Sequence, residues 1–266
     1  LNQTASRKKS AFVVLPDFLA KVDFSRARKL TLNYQLKTDF AEVDRLGNRF
    51  YLKSYNSVYK GNEQLGMALR HSAYGYYSQF SMFRGVMFAT SISYSKKIKG
   101  QQQNVQFINS GRYLKTTMVM NPEERWHLML NFNKKVNQFK IGLKSNLSKT
   151  EYLQTLNTNQ LTNTNTAIGF DVSIKTLYEK LPVVEVGFKA SSGRYSSNGR
   201  LSKFITQEPY FSMKYDFWSG FLINFDYYKQ NYENKSQGFQ NALRIANAML
   251  TFKGENSPWG FTIKAN

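Results

Sequence analysis

The sequence predicts an all-β fold: an antiparallel transmembrane β-barrel, or a large part of one, with about 12–14 strands in this chain. Apolar and polar residues alternate through most of its 266 residues, as in strands that bury one face only. Several alternating runs, among them Arg28 to Thr38 and Gly85 to Lys96, reach the ~9–11 residues that a membrane-crossing strand needs, against ~5–6 in soluble proteins. Short connections are separated by long polar ones, as on the two rims of an outer-membrane barrel.

In chain order, a weak alternation near Phe18 to Phe24 precedes RKLTLNYQLK, which sends Leu30, Leu32 and Tyr34 to one side and Lys29, Asn33 and Lys37 to the other. After a weaker copy over Leu69 to Phe80, GVMFATSISYSKK sets Val86, Phe88 and Ile92 against small, mostly polar residues. Beyond another weak copy, Val105 to Met120, RWHLMLNF opposes Leu128 and Leu130 to His127 and Asn131. QFKIGLKSNLS opposes Ile141 and Leu143 to Lys140 and Lys144, and AIGFDVSIK opposes Phe170 and Val172 to Asp171. VVEVGFKAS sets Val186 and Phe188 against Glu185 and Lys189. A weak copy over Tyr210 to Phe217 leads to SGFLINFDYYK, with Ile223 and Phe225 against Asn224 and Asp226. Another over Ala242 to Phe252 leads to WGFTIKA, with Phe261 and Ile263 against Lys264.

The apolar member of each pair is expected to face lipid and the polar member the lumen. A charge aimed at lipid near the midplane would cost ~2–4 kcal/mol, and the strongest strands keep their charges off the apolar parity. Tyr94, Trp126, Phe132, Tyr227 and Trp259 are read as strand-end aromatics of an interfacial girdle. The short links are FSRARK, SMFRG, NPEER, LYEKLP, DFWSG and GENSPW. The long polar ones run from Asp39 to Leu65, Lys96 to Gln106, Ser148 to Asn165, Ser191 to Gln207 and Gln230 to Phe239. NKKVNQ, a short link directly after NPEER, breaks the alternation, so either one strand is split too finely or one rim carries an exception.

Composition narrows the chemistry. Against 17 Asp and Glu stand 37 Lys and Arg, a net charge of +20 that attracts polyanions such as anionic headgroups, nucleic acid or acidic glycans. With no cysteine, neither a disulfide nor a thiolate site exists, and His71 and His127 alone make no multi-histidine metal site. No apolar run approaches the ~18–20 residues of a transmembrane helix, so any crossing must use strands. Gly61 and Gly66 have P-loop spacing, but Met67 and Ala68 stand where the phosphate-binding lysine and hydroxyl are required. Asp39, Glu42 and Asp44 lack regular calcium-loop spacing and read as a solvated loop. There is no nucleophile elbow, and His127, on a polar parity, reads as a lumen hydrogen-bonding residue. Neither enzyme activity, cofactor nor metal is expected. Basic clusters such as Lys96-Lys97-Lys99, Lys134-Lys135 and Arg7-Lys8-Lys9 read as solvated loops, or as contacts to phosphate-bearing headgroups.

The run NSVYKGNEQLGMALRHSAYGYYSQFSMFRGVMFATSISYSKKI, from Asn56 to Ile98, resembles a segment of the TonB-dependent receptor superfamily. Gly61, Asn62 and Leu65 match that superfamily's glycine-asparagine-proline element, while Glu63 replaces its proline and Met67-Ala68 its Pro-Glu pair. The stretch from Asn137 to Ile174 and the closing NSPWGFTIKAN resemble the Bacteroidetes-type outer-membrane β-barrel family. The resemblance implies a C-terminal part of a barrel of roughly 22 strands, which in the family encloses a plug. Residues 1–266 read as one barrel portion with neither plug nor soluble domain.

The expected function is therefore uptake of an unidentified ligand across the bacterial outer membrane. Expected partners are outer-membrane lipid, lipopolysaccharide, and other outer-membrane or periplasmic proteins, with no nucleic acid. Two rivals stand beside it: a non-transporting structural barrel of an assembly or secretion complex, and a soluble basic β-sandwich that binds glycan or nucleic acid.

Overall fold

The computed structural model describes residues 12–157, 159–218, 220–254 and 259–265. The basic run Arg7-Lys8-Lys9 and the middle of GENSPW lie outside them. The strands are β1 (Asp17–Ser25), β2 (Arg28–Asp39), β3 (Phe50–Ser54), β4 (Ser57–Lys60), β5 (Ala68–Ser81), β6 (Val86–Ile108) and β7 (Gly111–Val136). There follow β8 (Phe139–Leu156), β9 (Asn159–Thr176), β10 (Val183–Ser197), β11 (Arg200–Phe217), β12 (Phe221–Asn234), β13 (Phe239–Lys253) and β14 (Gly260–Ala265). A four-residue helix α1 (Val43–Leu46) precedes β3.

All fourteen strands belong to one sheet, and its main path is an antiparallel meander from β1 and β2 through β5 to β14. From β5 to β13 the strands run 14 to 26 residues, two to four times the soluble mode of ~5–6. Among the described residues β1 and β14 do not pair, so the sheet is not closed into a barrel.

Tight asparagine turns make such long strands possible. Asn109, Asn137, Asn157 and Asn198 all take positive φ, between 46° and 53°, at the first turn residue of a hairpin. Asparagine tolerates that left-handed conformation, and its hand of turn matches the twist of the flanking strands. At Asn198-Gly199 both residues have positive φ, the pair that a two-residue primed turn requires.

These turns correct the expected loop pattern. Ser148 to Asn165 and Ser191 to Gln207 are not loops: they are the far ends of β8, β9, β10 and β11, joined by two-residue turns. Val105 to Met120 is not one strand but the tip of the β6–β7 hairpin. NPEER is not a link at all. It lies inside β7, where Lys97 pairs with Glu123 and Lys99 with Met120, so that Ile98 opposes both Asn121 and Pro122. The extra residue, Asn121 at φ 47° and a proline that cannot donate form a bulge within a continuous strand. With that split removed, NKKVNQ falls in turn with the other short links on one rim.

Above the bulge the β6–β7 ribbon exchanges its neighbours. Below it, β6 pairs β5 and β7 pairs β8. Above it, β6 at Asn104 and Val105 pairs β8 in parallel, and β7 from Arg112 to Lys115 pairs β4 in parallel. The β3–β4 hairpin that meets it occupies the one long connection among the described residues, residues 40–67. Tyr59, Leu65, Ala68 and Leu114 are the buried apolar residues among those described, and all lie in or beside this corner.

No second sheet stacks on either face of the meander among the described residues. Leu32 is 43 % exposed, Phe170 44 %, Phe188 38 % and Ile263 61 %. An apolar face of this extent, left uncovered, is far larger than the scattered apolar residues of a soluble surface.

Candidate binding face

Below the bulge, strand register carries each parity from strand to strand. Leu32, Ile92, Leu128, Leu147 and Ile168 lie level across β2, β6, β7, β8 and β9, with Gly75 of β5 between the first two. One row lower in the sheet lie Leu30, Leu130 and Phe170; then Phe88, Leu143, Val172 and Phe188; then Val86, Ile141 and Val186. Ile223, Leu250 and Ile263 continue the same face on β12 to β14, and Phe225 and Phe261 share it. Tyr34 lies level with Tyr94 and Trp126, whose rings are 4.3 Å apart.

At the opposite rim the same face ends in Phe217, Phe221, Phe252 and Phe261, cross-strand partners in series whose neighbouring ring centroids lie 4.6–5.7 Å apart. Phe132 and Tyr227, expected at strand ends, instead sit inside the apolar band, level with Leu143 and Phe211. From Trp126 to Val136 is about ten residues, ~33 Å of strand, or ~23 Å of height at a ~45° tilt.

The other face is mainly polar, with Met87, Ala89, Met129 and Met249 among its apolar members. Asn33, Ser93 and His127 share one row, and Lys37, Lys97 and Glu123 another. Lys29, Ser78, Ala89, Asn131, Lys144, Asp171, Lys189 and Glu208 run level from β2 to β11. Lys140, Lys175 and Glu185 are level on β8 to β10, Ser212 and Asp226 extend that row, and Asn224 aligns with Met249 and Lys264.

At its centre the long row alternates in charge. Lys144 Nζ lies 3.7 Å from Asp171, and Lys189 Nζ 2.7 Å from Glu208 Oε1. Opposite charges placed directly across strands attract, although with lysines this exposed each pair is worth at most about 1 kcal/mol. Tyr210 on β11 adds a longer reach: its hydroxyl donates to Asp171 Oδ1 on β9 at 3.0 Å, and its ring lies 4.8 Å beneath the Lys189 ammonium. A cavity of about 890 Å³ opens over these strands, its mostly apolar lining, with Ala89, Met129 and Ala190, interspersed with Tyr76, His127, Asn146 and Gln230 beside the charged row. Hydroxyls, amides, a histidine and paired charges around such a space can hydrogen-bond a polar solute of moderate size.

The other candidate residues are scattered. Asp39 pairs with Arg70 at 3.8 Å and Glu42 with Arg45 at 2.9 Å, so two of the three carboxylates of the acidic loop are taken up in ion pairs. His71 Nδ1 lies 2.6 Å from the Tyr34 hydroxyl at one rim, far from any nucleophile pairing with His127. Gly61 packs its Cα against the carbonyls of Arg45 and Gly47, where any side chain would collide, which gives the glycine a packing role.

Glu208 and Tyr210 are the residues of this face that sequence reasoning passes over. Both follow a stretch read as loop, and the missed signal is Asn198-Gly199, the strongest short hairpin dipeptide, flanked by alternating residues. No protein-family model and no curated protein matches this chain.

Proposed function

We propose that this chain forms part of the wall of a bacterial outer-membrane β-barrel that takes up a polar ligand, as its resemblance to TonB-dependent receptors implies. One observation carries the reading: a single long-stranded sheet presents a continuous apolar band on one face, uncovered by protein, and a polar, cavity-bearing face on the other. Only a second protein layer or lipid removes such a band from water, and a bilayer is the cover that suits its height of ~23 Å between aromatic rims. The polar face then lines a wet interior, where charges and glycines are tolerated. Unpaired edges are not tolerated in lipid, so β1 and β14 pair with further strands in the membrane.

The test is fractionation of cells, followed by detergent extraction and circular dichroism. The reading expects the chain in the outer-membrane fraction, β-rich, and released only by detergent. A folded monomer recovered in the aqueous fraction would contradict it.

A further inference from the structure

We propose that the polar face carries a binding site for a small phosphate- or carboxylate-bearing anion, centred on Lys140. The proposal goes beyond the uptake reading, rests on it for which face meets water, and is argued from strand register, side-chain pairing and the space beside them. Lys135 on β7, Lys140 on β8 and Lys175 on β9 are direct cross-strand partners in one row. Like charges directly opposite one another are destabilising, and here three follow in succession. Only Lys175 has an acidic neighbour, Glu185 at 3.4 Å; among the described residues no carboxylate lies within ion-pair distance of Lys135 or Lys140. In the neighbouring row the lysines are compensated: Lys144 by Asp171, Lys189 by Glu208.

Beside this row the sheet leaves room. A pocket of about 260 Å³ is lined by Lys140, Lys144, Lys175, Asn133, Ser173 and Gly142 together with the carboxylates Asp171 and Glu185. Gly142 is the floor: an added Cβ there would stand 2.9 Å from Ser173 Oγ and 3.4 Å from Asn133 Oδ1. Both bordering carboxylates already have cationic partners, and Asp171 also accepts from Tyr210. Lys144 and Lys175 are taken up by these carboxylates, which leaves Lys140 as the one cation in excess at a space with room for a small oxyanion. An anion bound there would relieve the repulsion along the row. The pocket opens on the face opposite Ile141, Leu143 and Val172, so a free anion rather than a bilayer headgroup reaches it.

The experiment titrates the purified full chain, in detergent micelles at low salt, with inorganic phosphate and separately with succinate, followed by calorimetry and by thermal unfolding. The proposal expects saturable binding of at least one of the two, weakened about tenfold or more in Lys140→Gln, where a charge-assisted contact is lost. Lys115→Gln, an exposed lysine near the β6–β7 tip, removes the same charge and should change nothing. Gly142→Ala, which fills the floor while keeping every charge, provides a second route to the same loss. Without anion, Lys140→Gln should unfold at a higher temperature than the parent chain, because a repulsion is gone. Absence of saturable binding, or equal weakening by Lys140→Gln and Lys115→Gln, would overturn the proposal.

Discussion

Tyr210 lies across Gly187: a Cβ added to that glycine would stand 2.2 Å from the tyrosine ring. The missing side chain lets a residue of β11 lean over β10 and donate to Asp171 on β9, tying three strands together by one side chain. Gly187→Val should therefore expel the ring, costing ~1–3 kcal/mol through overpacking. Tyr210→Phe should cost about 1.5–3 kcal/mol, the range for a hydrogen bond to a charged group. Urea unfolding in micelles, followed by tryptophan fluorescence, measures both; a neutral Gly187→Val would mean that the ring does not rest on that glycine.

Phe170→Lys and Ser191→Lys place the same charge on opposite faces of neighbouring strands. The first should block membrane insertion or lower stability by ~2–4 kcal/mol, while the second, beside the cavity, should insert normally. Folding yield into lipid vesicles, read from heat-modifiable gel mobility, distinguishes them. Equal yields would remove the basis for assigning the faces.

Glu123 sits beyond the Tyr94–Trp126 pair, at the bulge where the β6–β7 ribbon turns. Burial pushes its carboxyl up, but a hydrogen bond from Lys97 and the charges of Lys97, Arg125 and Arg70 outweigh that and hold it below the ordinary 4.5. A depressed folded-state pKa stabilises the fold above the unfolded value, and that contribution is lost as pH falls through the folded value. The ribbon over residues 99–120 should thus exchange its amide hydrogens faster, relative to the intrinsic rate, as pH drops below about 4.5. In Glu123→Gln the acid-dependent part should vanish. An unchanged acid response in that variant would locate the sensitivity elsewhere.

Tyr59 is buried, packs on Tyr51 at 5.0 Å between ring centroids, and lies 2.8 Å from the Thr116 hydroxyl. Tyr59→Ala should free the β3–β4 hairpin from β7, since losing a buried aromatic costs ~3–5 kcal/mol. Limited proteolysis should then cut within residues 40–67 while β8 to β13 stay protected. Cleavage throughout the sheet would mean that this corner supports the whole wall.

How far these features can be read from sequence depends on which physics fixes them. Alternation at Phe170, Asp171 and Val172 is a local consequence of the pleat, so the faces of β8, β9, β10 and β12 are legible residue by residue. Strand ends are not legible where both parities turn polar. Above Trp126 the extensions at Ser148 to Asn165 and Ser191 to Gln207 carry Asn, Thr and Ser on both sides, a composition that loops and solvated strands share. Asparagine turns mark their true ends, visible once Asn157 and Asn198 are read as left-handed positions. The β4–β7 pairing joins Val58 to Tyr113 across a long sequence gap, and the charged row joins β8 to β11; neither register has a local signature. Gly187 and Tyr210 became a pair only when β10 and β11 were laid side by side.

The chain has no cysteine, so single cysteines can be introduced one at a time along β9, from position 168 to 174, and labelled with nitroxide in lipid vesicles. Collision rates with oxygen and with a water-soluble nickel chelate report what each position touches. The account predicts a period of two: oxygen dominates at 168, 170, 172 and 174, and nickel at 169, 171 and 173. Rates that rise and fall together, or nickel access at 170 and 172 equal to that at 171, would contradict it.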